Sequence, residues 1–346
     1  MLTDTLTQLN IGESEKTSGG KHMRLKRPFL SPVALALVGI GLSVGISPTL
    51  AQTANSGDSI RCATRLSVAI LGEAATPSLL QSKDPQAAPE IDAMFQGPVF
   101  IERFSSFINS KFNDDPGAAS IEDSAYHLAK HVLQNNLPWT DLFVGKFNVV
   151  ETGPDDAKVV QVQADPNGLG YFRSPVWLDR YAGNELEGLK INTAYRMLNN
   201  VLGLDVATVT LALPDDADVS GAGREAAACR GCHYDSWFAL DRVADVLTRV
   251  QRDENNNVVA YLPNDGQPKM MLGGIMIKDD RDLIENMVKN DAYFFNQCRL
   301  GFQYLYGRAE NECEGTVFDS CVSAMKTEGT IQAGLTAIVK DKSFCR

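Results

Sequence analysis

Five consecutive residues carry the clearest chemistry in this 346-residue chain: Cys229-Arg230-Gly231-Cys232-His233. Two thiols two residues apart, followed at once by an imidazole, form the pattern through which a c-type haem is attached. The thiols add across two vinyl groups whose separation matches that spacing, and the imidazole is placed to bind the iron from the proximal side. Cys229 and Cys232 are therefore predicted to hold one covalent haem c, with His233 as proximal iron ligand. A zinc site would need a second ligand pair at finger spacing, which the sequence lacks. A thioredoxin-like dithiol would sit in a βαβ context, and the surroundings of this motif read as helical.

The sixth iron position has several candidates. Met270, Met271 and Met276 follow the motif in KMMLGGIMIK, and a methionine in that place raises the potential of an electron-transfer haem. As single residues, methionines also serve as core filler. His127 and His131, one helical turn apart, could supply an imidazole or form a two-histidine metal pair, or be polar residues at a helix edge. A position left open for a small ligand is the remaining choice. Trp237, Phe238 and Leu240 are expected to line the haem, which needs a dry apolar surround.

The compartment follows from the N-terminal residues. Arg24, Lys26 and Arg27 precede an apolar run of 14 residues, Val33–Ile46, and Thr49 and Ala51 supply small residues beyond it. This is the order of a secretory signal, with cleavage expected after Ala51. The run is shorter than the roughly 18–20 residues that span a bilayer, so no transmembrane anchor is expected after cleavage. Met23, directly before the basic cluster, is the expected true start. Cleavage would remove five basic and three acidic residues, shifting the formal net charge from −11 to −13 over 295 residues. Such a balance argues against a nucleic-acid partner, which would call for a basic face. A periplasmic or secreted protein is the expectation.

The elements that must position the motif read as mainly α, with a small β-hairpin over FNVVE (147–151) and KVVQVQ (158–163). Thr76 before Pro77 looks like a capped helix start, and SIEDSAYHLAKHVLQNN from Ser120 is an amphipathic helix. ADVSGAGREAAA (217–228) is the most linker-like stretch. It separates a predicted helical domain of unknown function (61–216) from a helical cytochrome c-like haem domain (225–346). In the latter, SWFALDRVADVLTRV reads as a short helix followed by the polar turn RDENNN. The C-terminal region then reads as helices throughout, beginning with DDRDLIENMVKN.

Several stretches resemble the planctomycete-type mono-haem cytochrome c proteins and their proteobacterial relatives. They are CRGCHYDSWFALDRVADVL, AYLPNDG, FFNQCRLGFQYLYGRAENE and GTIQAGLTAIVKDKSFCR, with HVLQNNLPWTDLFVGKFNVV and GYFRSPVWLDRYAGN…INTAYRMLNNVLGLDV upstream. The resemblance covers most of residues 61–346 and implies an exported mono-haem helical protein held by Cys229, Cys232 and His233. It names no substrate. The pattern departs in that an acidic residue, Asp235, follows His233 by two residues rather than four, and in the Asn-rich turn at 255–257.

Five further cysteines remain, and an oxidising compartment favours bridges between them. If 293–306 and 314–327 form an antiparallel helical hairpin and 331–341 returns beside the second helix, Cys298 pairs with Cys321 and Cys313 with Cys345, leaving Cys62 free. Three functions then compete: an electron-transfer cytochrome working with a periplasmic redox partner, a haem enzyme or enzyme subunit with an open sixth position, and an envelope interaction module that carries a haem. The residues leave open whether a reaction is catalysed.

Overall fold

The computed structural model describes residues 57–117, 120–154, 157–181, 191–205, 218, 220–237, 239–254, 258–262, 264 and 267–346. The expected signal, its cleavage point, Met23 and the turn at 255–257 lie outside the described residues, as does Phe238. The fold is mainly α, with three two-stranded antiparallel hairpins among the described residues.

Apolar spacing accounts for the N-terminal helices. α1 (Gly57–Leu71) buries Cys62, Ala63, Leu66 and Ile70 along one face. Thr76 caps α2 (Pro77–Gln81), its hydroxyl accepting from the Leu79 N–H, as its position before a proline predicts. α3 (Glu90–Gln96) ends at Gly97, and Pro98 opens α4 (Pro98–Phe112), which buries Phe100, Ile101, Phe104, Ile108 and Phe112. Ser120 caps a single tight turn, and α5 (Ser124–Gln134) begins only after it. α6 (Asp141–Val144) leads into β1 (Phe147–Thr152), which pairs with β2 (Val159–Ala164) in the expected hairpin. α7 (Pro175–Tyr181) and α8 (Ile191–Leu202) follow, α8 closing at Gly203 with φ +68°.

The motif segment contains α9 (Gly221–Glu225), α10 (Ala227–Arg230) and α11 (Leu240–Val246). α11 is shorter than its sequence suggested, because the chain turns at Leu247 into β3 (Arg249–Arg252), paired with β4 (Val258–Leu262). β5 (Lys269–Met271) and β6 (Ile275–Ile277) form a third hairpin just ahead of the expected C-terminal helices, folded back at Gly273-Gly274. Then come α12 (Asp280–Met287), α13 (Asp291–Tyr306), α14 (Gly315–Glu328) and α15 (Ile331–Lys340). Asn290 and Thr330 cap α13 and α15, and Gly307 and Gly329 take the left-handed φ that ends α13 and α14.

The described residues belong to one compact unit built around one buried apolar core. α13 packs on α1, α4 and α8, and α15 packs on α3. Trp139 donates its indole N–H to Gln297 Oε1 at 2.9 Å in the interior, and Asn296 donates to the carbonyl of Asn200 at the end of α8. Buried Asp280 receives Arg173 Nη2 at 2.9 Å and the Thr248 hydroxyl at 2.8 Å.

The disulfides agree with expectation in one case and correct it in the other. Cys298 and Cys321 are bridged across α13 and α14, with Cα atoms 6.0 Å apart. Cys345 pairs with Cys62, Cα atoms 4.9 Å apart, and Cys313 is an exposed free thiol. The C-terminal tail turns away from α14 towards α1, because Phe344 packs edge-on against Tyr306 while Arg65 of α1 lies over both rings and donates to the Arg346 carbonyl.

Candidate functional site

The C-x-x-C-H residues lie where α10 opens into a wide π-type turn, Gly231–Asp235, of the kind that often marks functional sites. Ser220 caps α9, accepting from the Gly223 N–H at 3.3 Å, and α9 carries the buried Arg224. After the turn, the Ser236 hydroxyl donates to the Cys232 carbonyl and accepts from the Ala239 N–H. Ala239 is fully buried with φ +38°, a left-handed conformation that costs a non-glycine residue of order 1–3 kcal/mol. That turn starts α11 at an angle that sets Asp241 against the motif.

Asp241 is the hub. Its buried carboxylate meets His233 Nδ1 through Oδ2 at 2.6 Å. Its other oxygen, Oδ1, accepts from Arg224 Nη2 at 2.8 Å, from Arg224 Nε at 2.9 Å and from the Tyr234 hydroxyl at 3.2 Å. A carboxylate acceptor at Nδ1 selects the imidazole form that carries its proton there, which leaves the Nε2 lone pair available to a metal. Cys229 and Cys232 are both free thiols, partly and well exposed.

Beside the motif lies uncovered apolar surface. The Leu272 N–H donates to the Trp237 carbonyl at 2.7 Å, and Arg242 of α11 donates to the Met270 carbonyl, so the β5–β6 hairpin is fixed against the segment that follows His233. Leu272 has φ +52°; with Ala239 it makes two of the three non-glycine residues of positive φ among the described residues. Met270 and Met276 face each other across the hairpin and are about half exposed, at 54% and 50%. Trp237 and Ile275 are each 40% exposed. These four are half of the eight large apolar side chains exposed among the described residues. Isolated exposed apolar residues need no explanation, whereas here four are gathered next to two thiols and an imidazole held by a carboxylate. Open thiols, an imidazole held at Nδ1 and an exposed apolar flank with two thioethers are a residue set that would fit a haem attached through the motif.

The remaining expected site residues separate clearly. Met271 is buried at 3% exposure and belongs to the core, so of the three methionines only Met270 and Met276 offer sulfur to the surface. Leu240 is buried on α11. His127 and His131 lie on α5, in a cavity of about 350 Å³ shared with β2. His127 Nε2 is 3.1 Å from the Ser120 carbonyl, and His131 stacks edge-on against Phe147 with its pKa lowered by burial. The structure thus gives these histidines partners ahead of α5 and on the first hairpin and does not bring them to His233. Asp235, the acid that follows the motif, pairs with Arg230 instead.

Sequence reasoning passed over Asp241 and Arg224. An aspartate in a helix's first turn reads as a partner for the helix dipole, and Arg224 sits in the most linker-like stretch. The available signal was an acid set directly beside Leu240 on a helix whose other faces carry Val243 and Val246.

Comparison with known families, with curated proteins and with solved structures finds no match to this chain.

Proposed function

We propose that this chain is an exported mono-haem c-type cytochrome that exchanges electrons with a redox protein partner. Cys229 and Cys232 would hold the haem as thioethers and His233 Nε2 would bind its iron. Met270 or Met276 would supply a second, thioether ligand. The observation that carries this reading is the His233–Asp241 bond, which presents Nε2 beside two free thiols. When bound, the haem supplies a one-electron Fe(III)/Fe(II) couple. The chain's own residues do the rest. Asp241 holds the ring tautomer and orientation. Trp237, Ile275 and the hairpin methionines would exclude water from the haem. Two bridges suit an oxidising compartment. Among the described residues no helix is long and apolar enough to cross a membrane. The acidic balance of the chain favours a basic partner, whose encounter complementary charge would speed.

Reduced-minus-oxidised spectroscopy of the protein purified from the envelope fraction, followed by carbon monoxide and cyanide, tests the proposal. The expected result is a six-coordinate low-spin haem c indifferent to both ligands. A high-spin, ligand-reactive spectrum would replace electron transfer by the open-position haem enzyme. A protein without haem c would remove both readings.

A further inference from the structure

The fold contains three buried aspartates among its described residues, and their partners differ. Asp123 is served by Asn109 and Asn113, Asp280 by Arg173 and Thr248, and Asp241 by the motif histidine itself. The arrangement around Asp241 is asymmetric. Arg224 places both its Nε and Nη2 on Oδ1 rather than forking across the two oxygens, and Tyr234 adds a third donor to that same oxygen. Oδ2 is thereby reserved for His233 Nδ1, at the short distance of a charge-assisted bond.

We infer that Asp241 is a positioning residue that sets the midpoint potential of the bound haem low, with Tyr234 and Arg224 partly offsetting it from the far oxygen. This rests on the haem reading above. A carboxylate accepting the Nδ1 proton pushes electron density into the ring and makes Nε2 a stronger donor, which favours the oxidised iron. Donors on Oδ1 draw negative charge away from Oδ2 and weaken that push. One electron is exchanged with the partner, and the proton stays between Nδ1 and Oδ2 in both states.

The two parts of this arrangement have opposite signs, which a purely structural role would not. Redox titration of the purified holoprotein should show Asp241→Asn raising the midpoint potential, with the Fe(II)/Fe(III) ratio at fixed applied potential increasing by roughly tenfold, or about 59 mV for a one-electron couple. Tyr234→Phe should lower the potential, changing that ratio by roughly twofold the other way. EPR g-values of the oxidised forms should move in opposite senses, since they report the strength of the imidazole field. Potentials equal to wild type in both variants, or both displaced in the same direction, would overturn the inference. Should Asp241→Asn retain no haem, the sign of the Tyr234→Phe shift decides alone: downward supports it, unchanged or upward overturns it. Wild-type protein without covalent haem would instead refute the haem reading itself.

Discussion

Around α4 and α13, Phe100, Phe104, Trp139 and Tyr293 are fully covered, whereas around the C-x-x-C-H motif Trp237, Met270, Ile275 and Met276 stand open to solvent. The first region is closed by its own side chains. Phe104 stacks on Phe100 and meets Tyr304 edge-on at 5.1 Å, the Tyr304 hydroxyl reaches the Ile70 carbonyl, and two disulfides tie the helices. The motif region inverts this. A polar hub is buried beneath the motif, four large apolar side chains lie outside, and the region contains two strained non-glycine residues. A core complete in itself specifies a scaffold. A region with polar groups satisfied beneath and apolar surface left above is where the proposed haem would sit, and strain there is maintained by the scaffold around it.

That contrast can be broken most forcefully in the scaffold. Trp139→Ala removes a fully buried ring and leaves Gln297 without its indole donor. It should cost about 3–5 kcal/mol in denaturant unfolding while haem content per folded chain stays at the wild-type level. Replacing Cys62 and Cys345 together by Ala opens a crosslink that spans 283 residues. A loss of about 2–5 kcal/mol is expected by thermal unfolding, larger than for the Cys298/Cys321 pair, whose separation is 23 residues.

The methionines sharpen the comparison at the boundary between the regions. Met271→Ala should cost about 2 kcal/mol or more, because its side chain is buried, and should leave the haem spectrum intact. Met270→Ala and Met276→Ala should each change stability by about 0.5 kcal/mol or less. One of the two should convert the low-spin spectrum to a high-spin, ligand-reactive one. A change in stability alone, with no spectral consequence, belongs to the surface of the scaffold. Lys130 donates to Glu102 at 2.8 Å and, as the leading cause, holds that carboxyl below its ordinary value. A depressed carboxylate contributes stability above the usual carboxylate range and loses it as pH falls through its folded pKa. Since the Glu102 side chain is about half exposed, Lys130→Met should cost about 1 kcal/mol or less at neutral pH, with the difference from wild type vanishing in acid melts.

What could be read from the sequence follows the range of the forces involved. The C-x-x-C-H residues are contiguous, so their pattern is legible. So are the Thr76-Pro77 cap, the β1–β2 hairpin and the Cys298–Cys321 bridge, each fixed by neighbours in the chain or by two adjacent helices. The β5–β6 hairpin was less legible because KMM and IMI are three-residue strands with no alternation, although Gly273-Gly274 between them is a turn signal. The Cys62–Cys345 bridge depends on Arg65 and Phe344 meeting across nearly the whole chain. Asp241 escaped notice because its role is set by where Ala239 turns the backbone, not by any spacing within the motif.

The central claim is that Cys229 and Cys232 carry a haem, and the intact mass of the mature chain under denaturing, reducing conditions tests it most directly. With the protein produced in an envelope equipped for haem attachment, the account predicts a single mass increased by one haem, and no increase when both cysteines are replaced by Ala. A chain at its unmodified mass, with both thiols open to alkylation, would contradict it.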